Sequence, residues 1–272
     1  MRIASAAPAQ QQQSVGSLHW PEYLCEAVGL GAFMFSACAF TALLEHPSSA
    51  VHDAIESGFL RRVLMGIAMG VTLLAIVCSK LGKRSGAHLN PALTLSFLLL
   101  GKVRLVDAVS YVAAQFAGGM AGVLAAAFLI GPPLSHSAVN YAATLPGPYG
   151  LPAALAGEFA ISFILMSTVL WSSNSRKYST LTPLFAAMLV AAWIWFEAPL
   201  SGMSMNPART LGSALQANIW TGWWVYFTAP PLAMLLAALL YRKRYGVGRV
   251  YCAKLHHHNS ERCIFRCNHG AM

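Results

Sequence analysis

Apolar residues gather into six long runs, roughly 22–44, 60–79, 105–130, 152–173, 181–199 and 219–241, separated by short segments rich in Gly, Pro, Ser, Lys and Arg. Each run is close to or above the ~20 apolar residues that a helix needs to cross the hydrocarbon core of a bilayer. The pattern predicts six transmembrane helices. Two further apolar runs are too short to cross: one begins at Pro91 and ends at Gly101, the other begins at Pro207 and ends near Leu215. At 1.5 Å per residue each reaches roughly 15 Å, about half of that thickness.

The same string opens both short runs, Asn90-Pro91-Ala92 and Asn206-Pro207-Ala208, 116 residues apart. Asparagine caps helix N-termini well, and proline suits the first helical position, where its missing N–H costs nothing. Each string therefore predicts a half-helix that starts inside the membrane. An acidic residue in the first span of each half, Glu26 and Glu158, precedes its string by 64 and 48 residues. The segments of about 21–130 and 152–241 read as two copies of one unit. Three spans per half is an odd number, so the second copy runs upside down. The expected fold is an all-α membrane protein with six transmembrane helices and two re-entrant half-helices in an inverted 3+3 repeat. Broken helices meeting at the midplane are a transport architecture. Irregular backbone at that depth survives only where protein covers it or where it lines a water-filled path.

Composition agrees: 57% of the 272 residues are hydrophobic and 10% charged, and the mean hydropathy of +0.55 does not fit a soluble domain. The net charge of +9 would suit nucleic acid, but its placement argues against that partner. Lys80, Lys83, Arg84, Lys102 and Arg104 flank the first half-helix, Arg176 and Lys177 lie between the fourth and fifth spans, and segment 131–151 has no Lys or Arg. The positive-inside rule then places the first string's loop, the 174–180 loop and both termini in the cytoplasm, with the chain crossing the plasma (inner) membrane. Arg61 and Arg62 stand on the wrong side of that scheme. Residues 1–20, Gln-rich and without an apolar core, read as a disordered tail rather than a signal peptide. Gly118-Gly119-Met120-Ala121-Gly122 supports close helix packing, and Cys25, Cys38 and Cys78 read as small buried hydrophobes.

Carboxylates inside a membrane demand a reason. Glu26 and Glu158 either touch a permeant or accept hydrogen bonds from loop N–H groups that would otherwise be unsatisfied, and the second reading is preferred. Gln115 and His88 admit the same two readings, with His88 read as a pore neighbour.

The stretches Ser85–Thr94 and Ser201–Arg209, each built round one Asn-Pro-Ala string, resemble the two signature loops of the major intrinsic proteins, the aquaporins and aquaglyceroporins. The resemblance covers about 22–241. It implies a passive channel, not an enzyme, that passes water and excludes ions and protons; the alternative cargo is small neutral solutes such as glycerol, urea, ammonia or metalloid acids. A secondary transporter is a further alternative, weakened because only Glu26, Glu158 and His88 could couple protons. On this resemblance Asn90, Pro91, Ala92, Asn206, Pro207 and Ala208 form the pore midplane. There each asparagine carbonyl caps its helix and leaves the NH2 free to donate, and the positive helix ends repel cations, a barrier for which aquaporin-type pores are the standing example. Arg209 matches the arginine of the selectivity constriction, Met203 and Ile194 fall at two more of its positions, and Met69 or Gly70 at the last. Thr210 and Tyr226-Phe227 lean toward the water branch, whereas Met203 and Ile194 lean toward neutral solutes. The resemblance also implies a homotetramer in the lipid bilayer with one pore per subunit.

The basic segment 242–272 contains Cys252, His256, His257, His258, Cys263, Cys267 and His269. Cys252, Cys263, Cys267 and His269 offer soft and borderline donors for a zinc ion; otherwise no cofactor is expected. The competing readings are a basic cytoplasmic tail drawn to anionic lipid and a lipidated juxtamembrane cysteine.

Overall fold

The computed structural model describes residues 17–272. Six helices are long and apolar enough to span a membrane: α1 (Trp20–Glu45), α2 (Gly58–Cys78), α4 (Leu105–Ile130), α5 (Gly150–Ser173), α6 (Thr182–Phe196, prolonged by a turn from Ser179) and α8 (Trp223–Tyr245). Between them lie the half-helices α3 (Pro91–Leu99) and α7 (Pro207–Ala217). Helices alone form the regular structure among the described residues. The sixth span starts at Trp223 rather than 219 because Asn218 (φ 50°) ends α7 and Gly222 (φ 64°) turns the chain into α8. It runs on to Tyr245, where Arg242, Lys243 and Arg244 suit the negative end of the helix dipole.

Within the first half, the first and third spans pack through small residues. A Cβ on Gly118 would overlap the backbone of Ala27, and one on Gly122 would overlap Gly31, so α1 and α4 touch backbone to backbone. Large apolar side chains such as Leu24, Val71, Val109, Phe128 and Leu232 face outward, as expected of surfaces bathed in lipid tails. The face of the bundle that carries both described chain ends is termed the terminal face below.

Three expectations change. Of the predicted tail 1–20, residues 1–16 lie outside the described residues, but Ser17 to Trp20 are held in place. His19 Nδ1 lies 2.8 Å from Asp107 Oδ1, Tyr23 donates to the same oxygen at 2.6 Å, and Arg104 donates to the Ser17 carbonyl at 2.9 Å. Arg61, which offended the charge rule, donates to Glu45 Oε2 (3.1 Å) and to the carbonyls of Ile55 (2.7 Å) and Glu56 (3.1 Å), so much of its charge is neutralised locally. Segment 242–272 is no detached tail: Val250, Ala253, Leu255, Ile264 and Phe265 are buried and join the same apolar core as the spans.

The α1–α4 contact predicts that Gly122→Leu forces the two backbones apart. Overpacking of this kind costs about 1–3 kcal/mol, and the variant should show a lower midpoint in detergent thermal unfolding than Gly248→Ala, where an added Cβ meets nothing.

Candidate functional site

The two re-entrant loops are copies at the level of single atoms. In the first, the N–H groups of His88 and Leu89 donate to the Glu26 carboxylate at 3.0 and 2.6 Å, and Gln115 donates to it at 2.8 Å. In the second, the N–H groups of Ser204 and Met205 donate to Glu158 at 2.6 and 2.7 Å, and the Ser201 hydroxyl donates at 2.8 Å. Tyr111 donates to the Ser85 carbonyl (2.7 Å) and Tyr226 to the Ser201 carbonyl (2.5 Å). Ala87 and Leu89 on one side, and Met203 and Met205 on the other, have φ between 50° and 55°. That left-handed conformation costs L-residues roughly 1–2 kcal/mol each. Hydrogen bonds to an ionised, buried acceptor are stronger than neutral ones and hold it. Both carboxylates are fully buried and neither lines the central cavity, so their place in the structure is to brace the loops.

Each asparagine works in two directions. Asn90 Oδ1 accepts from Ala92 N (2.9 Å), and Asn206 Oδ1 accepts from Ala208 N (3.0 Å) and Arg209 N (3.3 Å), so both cap their half-helices. Asn90 Nδ2 then donates to the Met205 carbonyl, and Asn206 Nδ2 to the Leu89 carbonyl, both at 2.7 Å. The expectation of an entirely free NH2 needs correction. An amide carries two hydrogens; one is spent across the loops and one remains for the cavity.

That cavity, of about 330 Å³, passes both asparagines and Arg209. Met203 and Ile194 line it, and of the pair left open it is Met69 that does so. Gly70 faces away: a Cβ there would sit 2.9 Å from the Ala187 carbonyl, so the glycine is needed for the α2–α6 contact. Arg209 brings a charged donor to the cavity wall, and its Nη1 is buried with no protein partner. At the far mouth the lining includes Thr41, Glu45 and Arg62. Ala138, Val139, Asn140, Ala142 and Ala143 of loop 138–143 also line the cavity. Nothing in their hydrophobic pattern signals this, since the loop enters through three positive φ angles at Asn140, Tyr141 and Ala142. Its continuation braces the second re-entrant loop: Thr144 Oγ1 lies 3.1 Å from Thr210 Oγ1, and Gly147 N donates to the Leu200 carbonyl at 2.9 Å.

Comparison with known proteins agrees with this geometry. Residues 12–241 match the family described as Major intrinsic protein. The chain belongs to that family. It is similar to Aquaporin NIP2-3 of Zea mays, at 37% identity over 219 residues, covering 80% of this chain and 67% of that protein. It is also similar to Aquaporin NIP2-1 of Zea mays, at 35% identity, covering 88% and 77%. Among solved structures, the aquaglyceroporin from Plasmodium falciparum superposes with a TM-score of 0.66 at 22% identity, covering 83% of this chain and 96% of the other; that likeness speaks for the fold. This major intrinsic protein is a channel, not an enzyme.

In this family member His88 does line the cavity, but its ring is engaged. It stacks between Phe97 and Phe265, each with centroids 5.3 Å away, and Nε2 lies 2.9 Å from the Ala253 carbonyl. A carbonyl can only accept, so Nε2 carries the hydrogen. In the tail, Cys252, Cys263 and Cys267 come together as anticipated, but the fourth member of the group is His257. His269 instead stacks on His257, centroids 3.9 Å apart. Hydrogen bonds from the Cys252 and Cys263 thiols and from the His257 ring hold the Cys267 thiol well below its usual range.

The loop bracing predicts the outcome of Glu158→Gln. The neutral amide offers one carbonyl oxygen where two carboxylate oxygens accept, which forfeits charge-assisted hydrogen bonds worth about 1.5–3 kcal/mol each. Expected are a lowered thermal midpoint and a lowered permeability together; a variant with wild-type stability and permeability would show that the loop holds its shape unaided.

Proposed function

We propose that the chain is a passive pore for small neutral polar solutes and for water, closed to ions and protons. The observation that carries this reading is the constriction set. Arg209 supplies one charged donor, while Met69, Ile194 and Met203 supply apolar walls. Water crossing such a ring gives up hydrogen bonds on three sides. A polyol or urea-sized solute meets Arg209 with its polar edge and the apolar walls with its remaining surface, so it loses less. Cations face the Arg209 charge and the positive N-termini of α3 and α7, and protons face Asn90 and Asn206, which present donors to every passing molecule. Strict water selectivity is the second reading, favoured by Thr210 directly after the arginine and by the buried Tyr226. Coupled transport is disfavoured because Glu26 and Glu158 are spent on bracing.

In the same reading Pro91, Ala92, Pro207 and Ala208 seat the half-helices, the terminal face is cytoplasmic in a plasma (inner) membrane, and four copies assemble with one pore each. The pore itself uses no cofactor.

The test is stopped-flow light scattering on proteoliposomes containing the full chain, with Phe265→Ala beside it because Phe265 stacks on the cavity-lining His88. Fast shrinkage in an impermeant osmolyte followed by fast reswelling in glycerol or urea supports the solute reading; shrinkage without reswelling replaces it by the strict water reading, and no acceleration in either protein overturns the channel. Arg209→Ala should admit protons or cations that the parent excludes, read as dissipation of a pH gradient.

A further inference from the structure

The C-terminal tail lies across the terminal-face mouth of the pore. Leu255 lines the central cavity, and its N–H donates to the Gly86 carbonyl of the first re-entrant loop at 3.1 Å. Two residues earlier, the Ala253 carbonyl takes the hydrogen of His88 Nε2, and Phe265 covers the other face of that ring. The cavity reaches polar and charged residues at the far mouth, but at this end none of Lys80, Lys83, Arg84, Arg176 or Lys177 lines it. The tail is tied round the rim at several points. Tyr251 N donates to Asn174 Oδ1 (2.7 Å), Arg266 N to the Lys102 carbonyl (2.9 Å), and Lys102 Nζ to Asn268 Oδ1 (2.9 Å); Ser179 Oγ lies 2.9 Å from His258 Nε2.

What organises this segment is the group of three thiols and one imidazole. Their donor atoms all lie within 4.8 Å of one another, with Cys252 Sγ 3.5 Å from Cys263 Sγ and His257 Nε2 3.0 Å from Cys267 Sγ. None of these cysteines forms a disulfide. A tetrahedral zinc ion with Zn–S near 2.3 Å and Zn–N near 2.0–2.1 Å sets its donors roughly 3.5–3.8 Å apart. Small contractions and expansions of the observed group reach that arrangement. Three thiolates and one zinc leave a net charge of −1, and two nearly buried lysines stand within electrostatic reach of the thiols. One is Lys254, whose Nζ donates to the carbonyls of Glu261 (3.1 Å) and Arg262 (2.8 Å); the other is Lys102. The segment's buried side chains lean on the core of the spans, and metal binding to the knuckle adds its free energy to that of folding.

We propose that Cys252, His257, Cys263 and Cys267 bind one zinc ion, and that this ion folds the tail into a plug that closes the terminal-face mouth, so that zinc occupancy gates the pore. The gate rests on the channel reading above. Zinc-loaded protein keeps Leu255 and Phe265 seated; loss of zinc unfolds the knuckle, frees the His88 N–H and opens the cavity to the terminal side.

The test combines metal analysis with permeation on the full chain. Purified protein should carry about one zinc per chain by elemental analysis, as a Cys3His site requires. In proteoliposomes, water or glycerol permeability should rise roughly tenfold when a membrane-permeant chelator strips the ion, and fall again when zinc is restored. Cys263→Ser/Cys267→Ser should bind no zinc and conduct in either buffer. Phe265→Ala, which leaves all four ligands in place, should keep its zinc yet conduct more than the parent. Protein that binds no zinc overturns the site. Bound zinc with equally fast conduction before and after stripping overturns the gate and leaves the channel standing. Silence of the stripped parent and of both variants overturns the channel and the gate together.

Discussion

A chain that enters a bilayer and turns back must satisfy peptide groups that no helix ladder serves, and here two buried carboxylates answer that constraint. Glu26 and Glu158 each accept two consecutive loop N–H groups, an arrangement that both neutralises orphan donors and locks the left-handed residues beside them. The rest of the pore follows. Once the loop backbone is fixed, the asparagines land where they can cap, the half-helices point their N-termini at one another, and Arg209, one turn inside α7, is delivered to the cavity wall.

The two loops also depend on each other. Each asparagine amide donates to the carbonyl just before the opposite asparagine, so neither half satisfies its own midplane. Folding the first half alone would leave the Leu89 carbonyl without the amide that it meets in the finished pore. The inverted repeat is therefore a single cooperative unit at its centre, although its halves are separate in sequence.

Much of this was legible in the sequence because the helix caps are local and the buried acids stand alone among apolar neighbours. Asn-Pro-Ala strings reveal half-helix starts locally, and a lone acid in an apolar span has few ways to be satisfied. Gly70 and Met69 were not separable, since one residue of register on α2 decides between the cavity wall and the α6 contact, and only the Ala187 carbonyl behind Gly70 settles it. The choice of His257 over His269 has the same origin: both imidazoles are within reach along the chain, and their stacking order is set by the fold of the knuckle. Loop 138–143 gave no signal, because its entry depends on backbone angles that ordinary residues rarely adopt.

The segment after α4 and the segment after α8 follow equivalent third spans of the inverted repeat. Each returns to the re-entrant loop on its own face: residues 144 to 147 against Leu200 and Thr210, residues 253 to 255 against Gly86 and His88. The duplication thus gives each mouth its own independent address, written in the stretch just downstream of a half. Length or chemistry can change in one of these stretches and alter a single entrance, while the midplane that both halves build in common stays as it was. One filter can in this way acquire different doors.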